Sequence, residues 1–245
     1  MTEYLNRQKE WQLSPYAQPF FAAEQAVLEP ALKHAIGPST LQLGDLIEQQ
    51  VIDKLDLPLV FKTSTELSPQ SDLLLDPAFL PFAPDTFSTV VLPHILESHD
   101  LPHQVLREAH RVLMSEGHIV LTGFNPISLL GIQRSLRSSA VFAGRYYSPR
   151  RVIDWLRLLG FEIVGSAMFQ YAPLSRSDNL RKSMQFLEHV GDRWLPMFGG
   201  GYMINAKKKD HGMTLAAKPR FVKSKKKRSK LSTAPAKTSL RSTRS

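Results

Sequence analysis

Residues 80–126, LPFAPDTFSTVVLPHILESHDLPHQVLREAHRVLMSEGHIVLTGFNP, contain two apolar runs with a helical pattern between them. The runs at 87–92 and 118–124 have the near-continuous apolar character of buried strands. The segment at 102–114 repeats its apolar residues at helical spacing, and these are Val105, Leu106, Ala109, Val112 and Leu113. Buried strands that alternate with helices predict a parallel sheet covered on both faces.

The same alternation extends in both directions along the chain. Further apolar runs predict strands at 41–44, 59–61, 73–75, 161–169 and 201–207, and helical patterns cover 149–159 and 178–195. Ser148 can cap the helix at 149, with Pro149 in its first turn and Gly160 closing it. The chain is therefore expected to form an α/β fold with a doubly wound, mostly parallel sheet.

A first amphipathic helix is predicted over 21–36, followed by the stop signal Gly37 and Pro38. The residues expected on its apolar face are Phe21, Ala22, Ala26, Leu28, Leu32 and Ile36. Residues 1–38 are thus assigned to an N-terminal lid that includes the first helix, and residues 39–209 to the α/β domain.

Composition excludes several classes of protein. A chain of 245 residues with 42% hydrophobic content supports one full-sized domain without disulfides. There is no cysteine, which excludes thiolate nucleophiles and cysteine zinc sites and fits a reducing compartment, so a cytoplasmic location is predicted. The histidines have no metal-ligand spacing, and no apolar stretch is long enough to span a membrane.

The positive charge is concentrated at one end of the chain. Residues 207–245 hold fourteen Lys or Arg and one acid, whereas the preceding residues hold seventeen bases and twenty-one acids. The segment at 223–245, KSKKKRSKLSTAPAKTSLRSTRS, has hardly any large apolar residue with which to offset its ordering entropy. A disordered basic tail is therefore predicted over 210–245.

The central block also resembles a known family. The order is LPF followed by an acid, an apolar strand, an H-x-L-E turn, a helix with L-R-E-x-x-R-V-L, a glycine turn and a strand. It resembles class I S-adenosylmethionine-dependent methyltransferases, particularly the bacterial type 11 group, which shares the S-P-x-x-Q and A-A-E-Q pattern of residues 14–25. The resemblance implies a Rossmann-like sheet of about seven strands with an antiparallel last strand, S-adenosyl-L-methionine as cofactor, and a small-molecule methyl acceptor.

The resemblance places the cofactor at the carboxyl ends of the strands, starting with the turn after the first one. Gly44 matches the first glycine of the family's motif, where a missing side chain lets the backbone approach the cofactor closely. The family usually has an acid two residues earlier and further glycines two and four residues later. This chain has Gln42, Leu46 and Glu48 at those positions, which predicts weaker binding or a rearranged pocket.

Two acidic residues correspond to further cofactor contacts of the family. Glu66, twenty-two residues after Gly44, falls near the spacing of the acid that receives the ribose hydroxyls, but it also suits a solvated loop. Asp76, followed by Pro77, matches the acid that accepts a hydrogen bond from the adenine amino group. A turn role before the proline is the alternative for Asp76.

The turn after the fourth strand provides the remaining candidates. Leu92, Pro93 and His94 occupy the place where family members contact cofactor or substrate. His94 is a candidate general base near neutral pH; its alternative role is packing at the start of the next helix. No catalytic residue is otherwise assigned.

Three functions remain open on the sequence alone. The first is a methyltransferase for a small molecule, which needs mainly proximity and in-line approach. The second is a catalytically inactive scaffold, because the glycine motif is degenerate. The third is a nucleic-acid-associated protein whose tail contacts phosphates without sequence preference, although such a tail can also be a solubilising extension.

The tail hypothesis predicts nucleic-acid binding with a steep salt dependence that is lost when the chain is truncated at residue 210. Lys and Arg that neutralise phosphates release counterions, so binding weakens as salt rises. A salt titration of RNA or DNA binding by the full and truncated chains measures this. Unchanged binding after truncation would rule the tail out.

Overall fold

The structure is a computed structural model that describes residues 17–35, 37–44, 59–64, 72–131, 145–171 and 198–209. The sequence expectations outside these ranges are those for the lid over residues 1–16, for Ile36, for Leu46 with Glu48, for Glu66, for the helix at 178–195, and for the tail at 210–245. Within the described ranges, no helix is long and apolar enough to cross a membrane.

In the part of the chain that the structure describes, four helices and seven strands follow each other. They are α1 (Ala17–Ala35), β1 (Thr40–Leu43), β2 (Val60–Ser64), β3 (Leu73–Leu74), β4 (Phe87–Pro93), α2 (Ile95–Ser98), α3 (Pro102–Val112), β5 (Leu113–Phe124), α4 (Pro149–Leu158), β6 (Phe161–Phe169) and β7 (Gly201–Lys208). Ser148 stands at the N-cap of α4, but its side chain makes no capping hydrogen bond.

The strands form one sheet in the order β3-β2-β1-β4-β5-β7-β6. The first five of these strands pair in parallel, and β7 runs antiparallel to both β5 and β6. Strands β2 and β3 are added on one side of β1, and β4 and β5 on the other side. This change of side between β1 and β4 creates the switch point where ligands bind in such folds. The predicted fold class is confirmed, including the antiparallel last strand.

Helix α1 covers one face of the sheet. Its residues Leu28 and Leu32 pack on Val91 of β4 and Val120 of β5. The helix begins at Ala17, four residues earlier than predicted. Its first turn contains Pro19, which is tolerated there because an amide in the first turn has no helical partner. The predicted apolar face is wrong in part, since Ala22 and Ala26 are exposed.

The opposite face is covered by α3 and α4. Val105 and Leu106 of α3 and Val152 of α4 are fully buried in the main apolar cluster, together with Leu41 of β1 and Leu121 of β5. Successive residues along a strand point to opposite faces, as the pleat requires: Val120 faces α1, whereas Leu121 faces α3 and α4. The core is thus two apolar layers separated by the sheet.

Strand β5 starts five residues earlier than predicted, directly after α3. Leu113 pairs with Phe87, and the register then shifts so that Thr89 pairs with His118. The glycine turn predicted here is a bulge inside one long strand. Gly117 is required in it, because a Cβ at this position would lie 2.9 Å from the carbonyl oxygen of Ser88.

Arg111 fastens α3 to the LPF segment. Its guanidinium donates to the carbonyl oxygens of Leu80 (2.9 Å) and Phe82 (2.7 Å) and to both carboxylate oxygens of Glu108. The amide of Leu80 in turn donates to Glu108 at 3.0 Å. Hydrogen bonding to Arg111 holds the pKa of Glu108 below its usual value. The L-R-E-x-x-R-V-L pattern is therefore a clamp on the segment that precedes β4.

Replacing Arg111 with Met should lower the free energy of unfolding by about 1 to 2 kcal/mol, because two backbone carbonyls and Glu108 lose a charged donor that is partly exposed to solvent. Urea denaturation measures the change. Arg107→Met on the exposed side of the same helix is the matched control and should have little effect. Equal effects of the two substitutions would contradict the clamp.

Candidate functional site

The carboxyl ends of β1 and β4 meet at the switch point of the sheet. Gly44, directly after β1, has a φ of +92°, which L residues rarely adopt. A Cβ on Gly44 would lie 3.1 Å from Cδ1 of Ile95 and 3.8 Å from the carbonyl oxygen of Pro93. The turn thus presents bare backbone beside the end of β4.

Gln42 lies in β1 with its side chain almost fully buried. Its amide nitrogen donates to the carbonyl oxygen of Gly44 at 2.9 Å, which braces the turn. Its Oε1 atom is buried and has no hydrogen-bond partner in the described part of the chain. A buried acceptor without a donor is costly, so this atom is ready to receive one from a ligand.

Asp76 and Pro77 form the turn after β3. Oδ1 of Asp76 accepts from the amide of Ala78 at 2.8 Å and from Nε2 of His99 at 2.9 Å. The Asp76 side chain is 51% exposed, so solvent or a ligand can reach it. Pro77 is buried in the turn. Both suggestions made for Asp76 from the sequence are compatible here, because a turn role uses only one of its oxygens.

The tautomer of His99 follows from its two bonds. Nδ1 of His99 accepts from the amide of Leu101 at 3.0 Å, so the proton must sit on Nε2. Nε2 therefore donates to Asp76 and orients its carboxylate. His99 was not identified from the sequence, where a histidine in a loop carries no distinguishing signal.

The three residues at the end of β4 have different environments. Leu92 is fully buried in the main apolar cluster, so its side chain belongs to the core and only its backbone is close to the turn. Pro93 ends the strand in register with Thr122 of β5. His94 follows with a φ of +50° and caps α2 without a side-chain capping bond.

His94 is held between two buried carboxylates. Its Nδ1 lies 2.9 Å from Oε2 of Glu97, and its Nε2 lies 3.1 Å from Oε1 of Glu24, which comes from α1. The contact with Glu97 is a hydrogen bond, whereas the contact with Glu24 is close but poorly aligned. The second oxygen of Glu97 accepts from the amide of Phe124 at the end of β5. We call Glu24, His94 and Glu97 the acid–histidine cluster.

The charges in the acid–histidine cluster oppose the effect of burial. Burial alone lowers the pKa of His94, but the charges of Glu24 and Glu97 outweigh it and raise the pKa to about 10. Burial raises the pKa of Glu97, against the opposing charge of His94. His94 is accordingly an imidazolium at neutral pH and has no lone pair with which to accept a proton.

Aromatic rings line the cluster. The His94 ring lies 4.3 Å from the ring centroid of Phe124 and 5.9 Å from that of Phe20. Tyr146 stacks on the other side of Phe124, at 5.1 Å. Gly123 is needed beside them, because a Cβ there would lie 2.5 Å from the Tyr202 hydroxyl. Aromatic rings thus cover the cluster on the side of Phe20 and Phe124.

Glu24 and Glu97 were also missed from the sequence, although both had a detectable signal. Glu24 is four residues after Phe20 and four before Leu28, so helical spacing puts its charge on the buried stripe of α1. Glu97 is three residues after His94, within reach along one helical turn.

This architecture, a seven-stranded sheet of this order with a bare glycine turn at its switch point, defines a class of cofactor-binding α/β proteins. Residues 55–121 match the family model described as a methyltransferase domain. The uncharacterized protein YafS of Escherichia coli K12 is 30% identical over 169 residues, which are 68% of this chain and 70% of YafS.

Two solved structures share the fold at low sequence identity. A methyltransferase of Thermotoga maritima, described as a possible histamine N-methyltransferase, is 16% identical with a TM-score of 0.59, over 84% of this chain and 97% of its own. The 1,6-didemethyltoxoflavin-N1-methyltransferase of Burkholderia thailandensis, solved with S-adenosylhomocysteine, is 14% identical with a TM-score of 0.52, over 85% of each chain. The chain belongs to the class I S-adenosylmethionine-dependent methyltransferases, and this membership indicates S-adenosylmethionine as the cofactor.

The charge state of His94 predicts a pH dependence of stability. Because its folded pKa of about 10 exceeds the ordinary value of 6.5, the folded state gains stability from this proton, fully present below pH 6.5 and lost as pH rises towards 10. In NMR spectra the imidazole signal of His94, assigned by its absence in His94→Gln, should keep the imidazolium shift until pH approaches 10. A midpoint near pH 6.5 would contradict this assignment.

Proposed function

We propose that the protein is a methyltransferase that transfers a methyl group from S-adenosylmethionine to a small molecule. The observation that carries the proposal is the convergence of Gly44, Asp76 and Pro93 at one edge of the sheet. These residues follow β1, β3 and β4, which run in the same direction, so the carboxyl ends of the three strands lie along the edge where this fold binds ligands.

The described residues suit the cofactor. Gly44 combines a positive φ with the absence of a side chain, so the methionine portion can approach its backbone. The unpaired Oε1 of Gln42 offers an acceptor beside that backbone. Asp76, oriented by His99 through one oxygen, offers its other oxygen to the adenine amino group. Pro77 and Leu92 would contribute backbone and shape; Glu66 lies outside the described residues, so its ribose contact stays a prediction.

The chemistry demands little beyond placement. The bound cofactor supplies an electrophilic methyl group on a sulfonium. The protein's share is to hold donor and acceptor in line and to exclude water, for which the rings of Phe20 and Phe124 provide an apolar wall beside His94. A general base is not required for an acceptor that is already a free nucleophile, and protonated His94 is given no such role.

A small-molecule acceptor is supported by two similar structures. One is described as a possible histamine N-methyltransferase, and the other contains 1,6-didemethyltoxoflavin. These descriptions apply to those two proteins. At 16% and 14% identity, the two proteins share only the fold with this chain. The position of the site is nevertheless typical of pockets that bury a small ligand.

The first test is calorimetric titration of the full-length protein with S-adenosylmethionine and S-adenosylhomocysteine. Wild type should bind both in the micromolar range. Asp76→Ala removes an acceptor for the adenine amino group and should weaken both by roughly 10- to 150-fold, the equivalent of one charge-assisted hydrogen bond. Asp154→Ala, on the exposed side of α4, is the matched control.

The outcome separates the enzyme from an inactive scaffold. Binding that Asp76→Ala weakens and Asp154→Ala leaves intact supports the enzyme and justifies a screen of acceptors. No heat up to millimolar ligand, from a protein that circular dichroism shows to be folded, would favour the scaffold.

A further inference from the structure

The acid–histidine cluster places two buried carboxyl groups against a single histidine. The His94 imidazolium contributes one positive charge and sits between the carboxylates of Glu24 and Glu97. Neither carboxylate forms an ion pair with a Lys or Arg in the described part of the chain. The three side chains do not have the arrangement of a metal site. A buried carboxyl oxygen that lacks a hydrogen-bond donor is costly.

The shortage of donors is located on Glu24. Both carboxylate oxygens of Glu97 have hydrogen-bond donors, since one accepts from His94 and the other from the Phe124 amide. Both oxygens of Glu24 are buried without a hydrogen-bond partner among the described residues, although Oε1 is close to His94. The Glu24 side chain is 2% exposed, so bulk solvent does not reach these oxygens.

A second unpaired acceptor lies on the same side of the sheet. Leu41 and Leu43 point into the cluster with α3 and α4, so the pleat directs Gln42, between them, towards α1. Gln42 is in register with Val91, which packs under α1. Its Oε1 is also buried and unpaired. Two acceptors without donors, one of them charged, therefore face the α1 side of the switch point.

The chemistry that satisfies both acceptors is a cationic group with several donors. An ammonium carries one positive charge and three N–H bonds, whereas a sulfonium carries the charge and no donor. Charge-assisted hydrogen bonds in a water-excluded site are stronger than neutral ones. The backbone of Gly44 lies beside Pro93 and Ile95, at the end of β4 that His94 follows.

We propose that Glu24, with Gln42, binds the ammonium of the ligand's amino-acid portion, and that α1 thereby supplies the anionic part of the cofactor site. The inference rests on the proposed function, because the ligand in question is the methionine portion of the cofactor. Glu24 is assigned a binding role in addition to its contact with His94.

The experiment compares three ligands with the full-length protein. S-adenosylmethionine has an ammonium and a sulfonium, S-adenosylhomocysteine has only the ammonium, and 5′-methylthioadenosine has neither. Glu24→Gln should weaken binding of the first two by roughly 10- to 100-fold and leave the third unchanged. Glu29→Gln, on the same helix and paired with Lys33 at the surface, is the matched control and should change none. Thermal unfolding checks that each variant is folded.

Each alternative pattern overturns the assignment. Equal loss for all three ligands means that Glu24→Gln distorts the pocket, and no loss means that a proton neutralises the cluster. Loss confined to S-adenosylmethionine assigns the charge to the sulfonium. Should Glu24→Gln fail to fold, Gln42→Met replaces it and should weaken the same two ligands only.

The same titrations distinguish a failure of the proposed function from a failure of the role assigned to Glu24. Wild-type protein that binds none of the three ligands overturns both proposals. If Asp76→Ala weakens all three ligands, as their shared adenine predicts, while Glu24→Gln and Gln42→Met weaken none, the cofactor site stands and only the role of Glu24 is overturned.

Discussion

The contact of His94 with two buried carboxylates fixes the relative positions of the elements around the site. Glu24 comes from α1, Glu97 from α2, and the same Glu97 binds the amide at the end of β5. Charges in an apolar interior are tolerated only when their partners are in place. The three elements must therefore converge on the end of β4, where Gly44 also arrives. The neighbouring clamp from Arg111 does the same for the segment before β4.

The sequence allowed the fold to be predicted closely because the strands are nearly continuous apolar runs. Strand β6 was predicted with its correct bounds, and the others within one to five residues. The largest error, at β5, arose because Glu116 and Gly117 indicated a turn, whereas tertiary pairing with β4 accommodates them as a bulge. The start of α1 was predicted four residues late, and Pro19 lies in its first turn, where a helix tolerates proline.

The site was less predictable, for a physical reason. Gly44 and Asp76 could be assigned from spacing along the chain, because their roles come from the turns that they occupy. Glu24 and His94 are seventy residues apart, and only the packing of α1 on the sheet brings them together. No local pattern encodes that meeting. The departure at position 42 was interpreted as a lost charge, and the structure shows that carboxylates are nevertheless close to the switch point.

The position of β7 has a consequence for how the chain is made. This strand is synthesised after β5 and β6, yet it lies between them and pairs with both. Until β7 emerges, β5 presents an unpaired edge and β6 has no neighbour, and exposed edges invite pairing with other chains. The half of the sheet made by β1 to β4 can assemble earlier from contacts already synthesised. Completion of the fold thus depends on the late insertion of an interior strand, β7, a long-range step that is intrinsically slow and most open to misassembly.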